Sequence, residues 1–268
     1  MLKNVKETVN MAANVSNLTD LRLAVLIDAE NVPHNCIKSV MKELTIYGTP
    51  TIKRIYGDWT NPTISGWKQD LLENAITPVQ QYSYTIGKNS SDSAMIIDAM
   101  DILYTEKTDG FVIVSSDSDF TRLAIRLREA GQWVIGIGEK KTPKPFIVAC
   151  DKFIYIEVIR EKDPENQEPR HAERAKAKQA KTNGARQLPE DIVQLIADSV
   201  ADLSDDDEWV FMGELGNMLM KKRPDFDSRN YGFKSLSALI KSVPRFQVDF
   251  RQTADPAIKH PYVKDLEA

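Results

Sequence analysis

The stretch IVSSDSDFTRL, residues 113–123, passes from a run of small and β-branched residues into a helical pattern. Asp117 and Asp119 stand at the junction with only Ser118 between them. Carboxylates this close repel one another, and a turn selected only for stability would usually carry Ser or Asn as the helix cap. We therefore expect a positively charged group to bind at this junction.

The same succession of strand and helix recurs between residues 21 and 158. The β-rich runs are LAVLID (23–28), TIKRIY (51–56), TPVQQYSY (77–84), GFVIVS (110–115), WVIGIG (133–138) and KFIYIE (152–157). Helical patterns lie near 34–46, 64–75, 92–104 and 119–130. This alternation predicts an α/β fold, with a parallel sheet covered by helices on both faces.

The rest of the sequence divides into shorter segments. We predict an N-terminal segment at 1–20, the α/β module at 21–158, a charged linker at 159–187, a second apolar module at 188–251 and a C-terminal tail at 252–268. The linker is almost free of large apolar residues, and the tail is expected to be poorly ordered. The second module, of roughly sixty residues, lies near the lower limit for independent folding.

Composition narrows the functional classes. With 42% hydrophobic and 28% charged residues, the chain of 268 residues reads as a soluble globular protein, and its net charge of −4 argues against a wholly basic nucleic-acid coat. The first twenty residues have no unbroken apolar run, which predicts neither a signal peptide nor a membrane span and favours a cytoplasmic location. Two distant cysteines and three scattered histidines argue against disulfides and structural zinc.

Further polar residues are expected at the edge of the sheet that holds the Asp117–Asp119 junction. Asp28 ends the first strand, and Asn31 follows in the same turn. Because the carboxyl ends of parallel strands share an edge, both turns should reach the same edge of the sheet. Asp92 falls on the apolar stripe of its helix and should face inward, whereas Asp98 and Asp101 are expected on a solvated face.

Each of these acids alone would more often be a turn former or a helix cap. Their convergence changes the interpretation, because Asp28, Asp92, Asp117 and Asp119 would crowd one edge with Lys88 as the one evident basic neighbour. Clustered carboxylates suit Mg²⁺ or Mn²⁺, which bind carboxylates, waters and substrate phosphates. The sequence therefore predicts a divalent metal site, with Lys88 as a candidate phosphate contact.

The segments LIDAENV, KNSSD and VSSDSDF, in this order, make residues 21–158 resemble the NYN domain, the branch of PIN-like nucleases that includes the LabA group. The resemblance implies a PIN-like fold and metal-assisted hydrolysis of RNA phosphodiesters, in which acids hold the ion. The motif positions that it assigns to the site are Asp28, Asn31, Asp92, Asp117 and Asp119. One position departs from the family pattern: Ser116 replaces a glycine of many relatives, and its side chain is expected to narrow the turn.

The second module resembles the OST-HTH, or LOTUS, domain through EWVFMGELG and RPDFDSRNYGFKSL. This resemblance implies a winged-helix-like fold that binds RNA or, in some relatives, a partner protein. Helical spacing places its large apolar residues in a core: Trp209, Leu215, Leu219, Phe226, Tyr231, Phe233, Leu236 and Leu239. The candidate phosphate contacts are Lys221, Lys222, Arg223, Arg229, Lys234 and Lys241.

Three other interpretations stay open at this point. A Toprim-like enzyme also uses a DxD turn with an early acid such as Glu30, but leaves the Asp28, Asn31 and Asp92 positions without roles. A haloacid-type phosphatase needs DxD after its first strand, where this chain has DAE. The third is a non-catalytic adaptor that keeps the NYN fold and binds RNA or protein. Metal-dependent loss of full-length RNA distinguishes a nuclease from that adaptor.

Overall fold

The computed structural model describes residues 21–64, 66–82, 90–105, 107–160, 188–204, 208–252 and 259–268. The chain divides into two compact units, Met1–Asn166 and Gln167–Ala268. Lys88, the N-terminal segment and residues 161–187 of the predicted linker lie outside the described residues.

The first unit contains a six-stranded parallel sheet. Its strands are Arg22–Asp28 (β1), Thr49–Gly57 (β2), Thr77–Gln80 (β3), Gly110–Val114 (β4), Trp133–Gly138 (β5) and Lys152–Tyr155 (β6). Their order across the sheet is β3-β2-β1-β4-β5-β6, and every neighbouring pair is parallel. The predicted α/β sheet is thereby confirmed.

Helices cover both faces of this sheet. They are Ile37–Leu44 (α1), Trp67–Asn74 (α2), Ser90–Thr105 (α3), Thr121–Glu129 (α4), Lys144–Ala149 (α5) and Ile156–Arg160 (α6). Alternate residues of β1 pack on opposite sides: Val25 belongs to the core under α1, α2 and α6, and Leu26 to the core under α3, α4 and α5. Burial on both faces explains why the strands read as continuous apolar runs.

The strand order reverses between β1 and β4. From β1 the chain winds outward through β2 to β3, and it then returns to β4 and continues through β5 to β6. Ile27 of β1 lies beside Val114 of β4, so the turns that follow these two strands emerge side by side. In open α/β sheets the crevice beyond such a reversal is where ligands bind.

The second unit combines helices with a small antiparallel sheet. The helices are Glu190–Leu203 (α7), Met212–Lys222 (α8) and Leu236–Lys241 (α9), and the strands are Val210–Phe211 (β7), Phe246–Gln252 (β8) and Lys259–Asp265 (β9). Most of the expected core residues lie in or against its core, but Trp209 is half-buried and places its ring 5.0 Å from the Arg251 guanidinium. Across both units, no helix within the described ranges is long and apolar enough to cross a membrane.

The expectation of a poorly ordered tail after residue 251 is wrong for β9. This strand is the central one of its sheet, with β7 on one side and β8 on the other. Its inward positions include Val263, which is fully buried, and Asp265, whose carboxylate accepts bonds of 2.7 to 3.0 Å from the Arg245 guanidinium. An aspartate at an inward position breaks the apolar alternation that predicts a strand, and its burial is tolerable here because Arg245 and the backbone N–H of Glu267 bind its carboxylate.

Candidate metal centre

Asp28, at the carboxyl end of β1, is held by four hydrogen bonds. Its Oδ1 accepts from the backbone N–H groups of Glu30 at 3.1 Å and Asn31 at 3.3 Å. Its Oδ2 accepts from the Asn31 amide at 2.7 Å and from the Ser115 hydroxyl at 2.9 Å. Burial nevertheless raises the pKa of Asp28, and the four bonds partly oppose that effect. The Asn31 side chain thus orients Asp28 in this structure.

Ser115 joins the two turns of the site and was missed by sequence reasoning. It is fully buried, donates to Asp28, and accepts the backbone N–H of Asp117 at 3.1 Å. The hydroxyl therefore couples the end of β1 to the turn after β4, across 87 residues of sequence. The one available signal was the position of Ser115 between an apolar strand and the paired aspartates.

The turn after β4 presents Asp117 and Asp119 at the edge of the sheet. Asp117 caps a 3-10 turn, Ser118–Phe120, because its Oδ1 accepts the backbone N–H of Asp119 at 2.9 Å. Phe120 is fully buried and anchors the turn to the core, while Asp119 is exposed. Local capping and core packing thereby keep two like charges close together.

Asp92 completes a cluster of three carboxylates. It lies in the first turn of α3, is 6% exposed, and faces inward as predicted. One carboxylate oxygen from each of Asp92, Asp117 and Asp119 lies within 4.8 Å of the other two. Asp28 is not a member of this group of three, although its charge acts on Asp92. Three oxygens at such separations can share one divalent cation.

The acidity of Asp92 is strongly perturbed. Burial first, and then the charges of Asp28, Asp117 and Asp119, together raise the pKa of Asp92 from 3.8 to about 7. A cation bound among these groups would reverse this balance, because it favours the charged carboxylate. The site is therefore electrostatically suited to a positive ligand, as the junction in the sequence indicated.

Negative charge continues along the edge toward β2. Burial raises the pKa of Glu30, with smaller contributions from the charges of Asp28 and Asp58. Asp58 follows β2, where its Oδ1 accepts from the side-chain amide of Gln80 at 2.9 Å. This flank of the centre is acidic beyond the four predicted aspartates.

Asp98 is not the solvated residue that the helical pattern predicted. Its carboxylate accepts hydrogen bonds from the Arg54 guanidinium and the Tyr56 hydroxyl, both on β2. The prediction was wrong because α3 lies against β1 and β2, so a polar side chain opposite the apolar stripe still meets the neighbouring strand. Asp101, one turn further, is exposed as expected.

Ser116, the residue expected to narrow its turn, has a defined hydrogen-bonding partner. Its hydroxyl accepts the backbone N–H of Glu139 at 2.9 Å, and the residue is buried. The side chain thus points toward the turn that follows β5. The hydrogen bond accommodates it between the two turns.

The candidate phosphate contacts of the second unit fall into two groups. Three are engaged by acids: Lys222 with Asp202 at 2.6 Å, Arg223 with Asp191 at 2.9 Å, and Arg229 with Asp227 at 2.6 Å. The other three are not engaged in this way. Lys221 and Lys234 are exposed, and the Lys241 ammonium lies 4.5 Å from the centre of the Phe250 ring. The second group is the better placed to bind an anion.

Two solved structures are similar to parts of the chain. A crystal structure of a protein of unknown function from Vibrio parahaemolyticus has 19% identity and a TM-score of 0.44, covering 52% of this chain and 94% of its own. A solution NMR structure of an uncharacterized protein from Nitrosomonas europaea has 30% identity and a TM-score of 0.27, and the match covers 39% of this chain and 85% of that protein. TM-scores this low support no conclusion about fold or function. A search of curated proteins gives no match.

Family models identify both units. The NYN domain model matches residues 22–157, and the OST-HTH/LOTUS domain model matches residues 185–257. Both resemblances seen in the sequence, and their order, are thereby confirmed. The chain belongs to the NYN domain family, and its NYN domain is followed by an OST-HTH/LOTUS domain.

Proposed function

We propose that this protein is a metal-dependent ribonuclease whose acidic centre cleaves RNA and whose C-terminal module binds it. The pair of domains supports a nuclease with an RNA-binding module. The observation that carries the finer assignment is the cluster of Asp92, Asp117 and Asp119, with one oxygen of each within 4.8 Å of the others. Asp92 comes from α3 and the other two from the turn after β4, and three carboxylates at this separation repel one another unless a cation is bound.

The residues of the centre have different roles. Asp92, Asp117 and Asp119 would hold Mg²⁺ or Mn²⁺. When bound, such an ion neutralises charge on a phosphodiester and lowers the pKa of a water molecule. Asp28, whose oxygens already accept four hydrogen bonds, would add negative charge beside these three ligands. None of these acids acts as a nucleophile.

Protonation of Asp92 links the centre to pH. With a pKa of about 7, Asp92 carries a proton for much of the time near neutral pH when the centre is empty of cations. Ligation requires the carboxylate, so binding of a divalent ion releases that proton. Ion affinity is expected to rise with pH through the neutral range.

The C-terminal module would capture RNA through its exposed cations. Lys221 and Lys234 are exposed and have no ion pair among the residues described. Phosphate contacts of this kind make affinity fall as salt increases. If the module instead docks a protein, RNA affinity will not depend on these lysines.

Cleavage of labelled nucleic acid tests the proposal. The full chain is incubated with single-stranded and structured RNA and DNA, in Mg²⁺, Mn²⁺ or chelator. We expect loss of full-length RNA with metal only. The matched variant Asp101→Asn, which removes an exposed acid from α3, should retain this activity. RNA that is bound but left intact under every metal condition would identify the non-catalytic adaptor.

A further inference from the structure

The two flanks of the acidic centre carry opposite charge. On the β1 and β2 side, the turns at 28–36 and 57–64 contain Asp28, Glu30 and Asp58 and neither lysine nor arginine. On the β5 side, the turn that follows the strand reads EKKTPK, residues 139–144, with three lysines in six positions. A polyanion that approaches the centre therefore meets an asymmetric edge.

The lysine-rich turn directly adjoins the turn after β4, which carries Asp117 and Asp119. The Ser116 hydroxyl accepts the N–H of Glu139 at 2.9 Å, and the N–H of Ser115 donates to the Ile137 carbonyl at 3.0 Å. In addition, α5 contacts the 3-10 turn Ser118–Phe120. The residues after β5 are thus fixed beside the residues after β4, at the same edge of the sheet.

Internal hydrogen bonds give the lysine-rich turn a defined shape. Thr142 donates its hydroxyl hydrogen to the Glu139 carbonyl at 2.6 Å, and the Lys140 N–H donates to the Glu157 carboxylate at 2.9 Å. The bond to Glu157 uses the backbone of Lys140 and leaves its ammonium group available. A preorganised turn loses less conformational entropy when it binds a ligand.

Three cations beside the centre have no acidic partner within the described ranges. Lys141 is paired with Glu139 at 2.5 Å, but Lys140 and Lys144 are exposed and make no ion pair there. Arg122, in the first turn of α4 and three residues after Asp119, is exposed in the same way. We refer to Arg122, Lys140 and Lys144 as the basic rim.

We propose that the RNA strand runs from the acidic centre over the β5 side, where the basic rim binds the phosphates next to the scissile one. This inference rests on the proposed ribonuclease function and adds a substrate path to it. Among the described residues of this domain, the centre repels a polyanion, and so does the Glu30 and Asp58 flank, whereas the opposite flank attracts one. The basic rim supplies that attraction beside the turn after β4, which carries Asp117 and Asp119.

Charge reversal on the full chain tests the path. In Lys140→Glu/Lys144→Glu, we expect KM for a labelled single-stranded RNA to rise about tenfold or more, with kcat little changed. The dependence of log(kcat/KM) on log salt should flatten by about 0.7 for each phosphate that the variant no longer binds. The matched control is Lys42→Glu/Lys107→Glu, which makes the same charge change at exposed lysines away from this edge and should behave as wild type.

Crosslinking makes the outcome independent of turnover. Photo-crosslinks from a 4-thiouridine RNA should map to residues 139–145 in the wild type, and they should disappear in the rim variant but not in the control variant. If RNA is cleaved and the two double variants behave alike, the path is wrong and the nuclease assignment stands. If crosslinks map to the rim but no condition gives cleavage, the path stands and the nuclease assignment falls.

Discussion

Two 3-10 turns in this chain begin with the same two residues and differ at the third. Asp117-Ser118-Asp119 follows β4, and Asp227-Ser228-Arg229 precedes α9. In each turn the first aspartate accepts the N–H of the third residue at 2.9 Å. In the second turn the Arg229 guanidinium also donates to both Asp227 oxygens, at 2.6 to 2.9 Å.

This difference separates what a turn needs from what a site needs. Capping by aspartate is common to both turns, so capping alone explains one carboxylate. Arg229 neutralises its aspartate, whereas Asp119 adds a second negative charge that raises the pKa of Asp92. The β4 turn has the local structure of the other turn, but its third residue is an aspartate instead of an arginine. We propose that this second carboxylate serves a bound cation.

The largest expected effect is on catalysis. Asp117→Asn keeps the size and the capping oxygen but removes a ligand charge, so the rate of RNA cleavage should fall about 100-fold or more. The equivalent change in the other turn, Asp227→Asn, should leave kcat near the wild-type value. Both are measured as single-turnover cleavage rates, with circular dichroism to check the fold. Wild-type rates from Asp117→Asn would remove this residue from the site.

The second effect concerns stability and pH. Because the pKa of Asp92 is about 7 when folded and near 3.8 when unfolded, the folded state binds the extra proton between these values. The contribution of Asp92 to the free energy of unfolding is therefore fully present below pH 3.8 and is lost as the pH rises through 7. Asp92→Asn removes this loss, so at pH 8 without metal it should be more stable by roughly 2 to 4 kcal/mol.

Thermal melts at pH 5 and pH 8, with and without Mg²⁺ or Mn²⁺, measure this effect. The advantage of Asp92→Asn should shrink at pH 5, and divalent ions should raise the wild-type Tm more than the Tm of the variant. Asp101→Asn should follow the wild type throughout, because Asp101 is exposed. A wild-type Tm at pH 8 that does not change with millimolar Mg²⁺ or Mn²⁺ would contradict a cation site at this cluster.

The third effect copies the charge pattern of the β4 turn into the other one. Arg229→Asp replaces a pair whose side chains are 17% and 14% exposed with two like charges, so the C-terminal module should lose about 2 to 3 kcal/mol of unfolding free energy. Urea unfolding measures it. Lys234→Asp makes the same charge change at an exposed position and should cost less than about 0.5 kcal/mol. Equal losses would show that general charge, and not the pair, is responsible.

The smallest effect is at the departure from the family pattern. Ser116→Gly removes the acceptor for the Glu139 N–H, which should cost about 1 kcal/mol of stability. Because the side chain points toward the β5 turn, we expect kcat to change by less than about threefold. Thermal melts and cleavage rates on the same preparation measure both. A large gain in rate would show that the serine does narrow the turn, as the sequence suggested.

The sequence by itself determined the fold class and the position of the acids. Parallel strands that are buried on both faces must be apolar on both faces, so runs such as LAVLID at 23–28 can be identified as strands from the sequence alone. The carboxyl ends of such strands share an edge, which places Asp28 and Asp117 on the same side of the sheet. They meet there because β1 and β4 are neighbours, which the structure decides. The inward direction of Asp92 followed from helical periodicity alone, since α3 is long and regular.

Tertiary structure decided which side chains meet. Ser115 bonds to Asp28 across 87 residues, Asp98 meets Arg54 and Tyr56 on β2, and the β9 strand depends on an arginine twenty residues before its buried aspartate. The pKa of Asp92 likewise depends on burial and on charges from other segments. Local pattern reports the periodicity of one element, whereas a polar contact depends on two elements whose register and distance are set only when the whole sheet has packed.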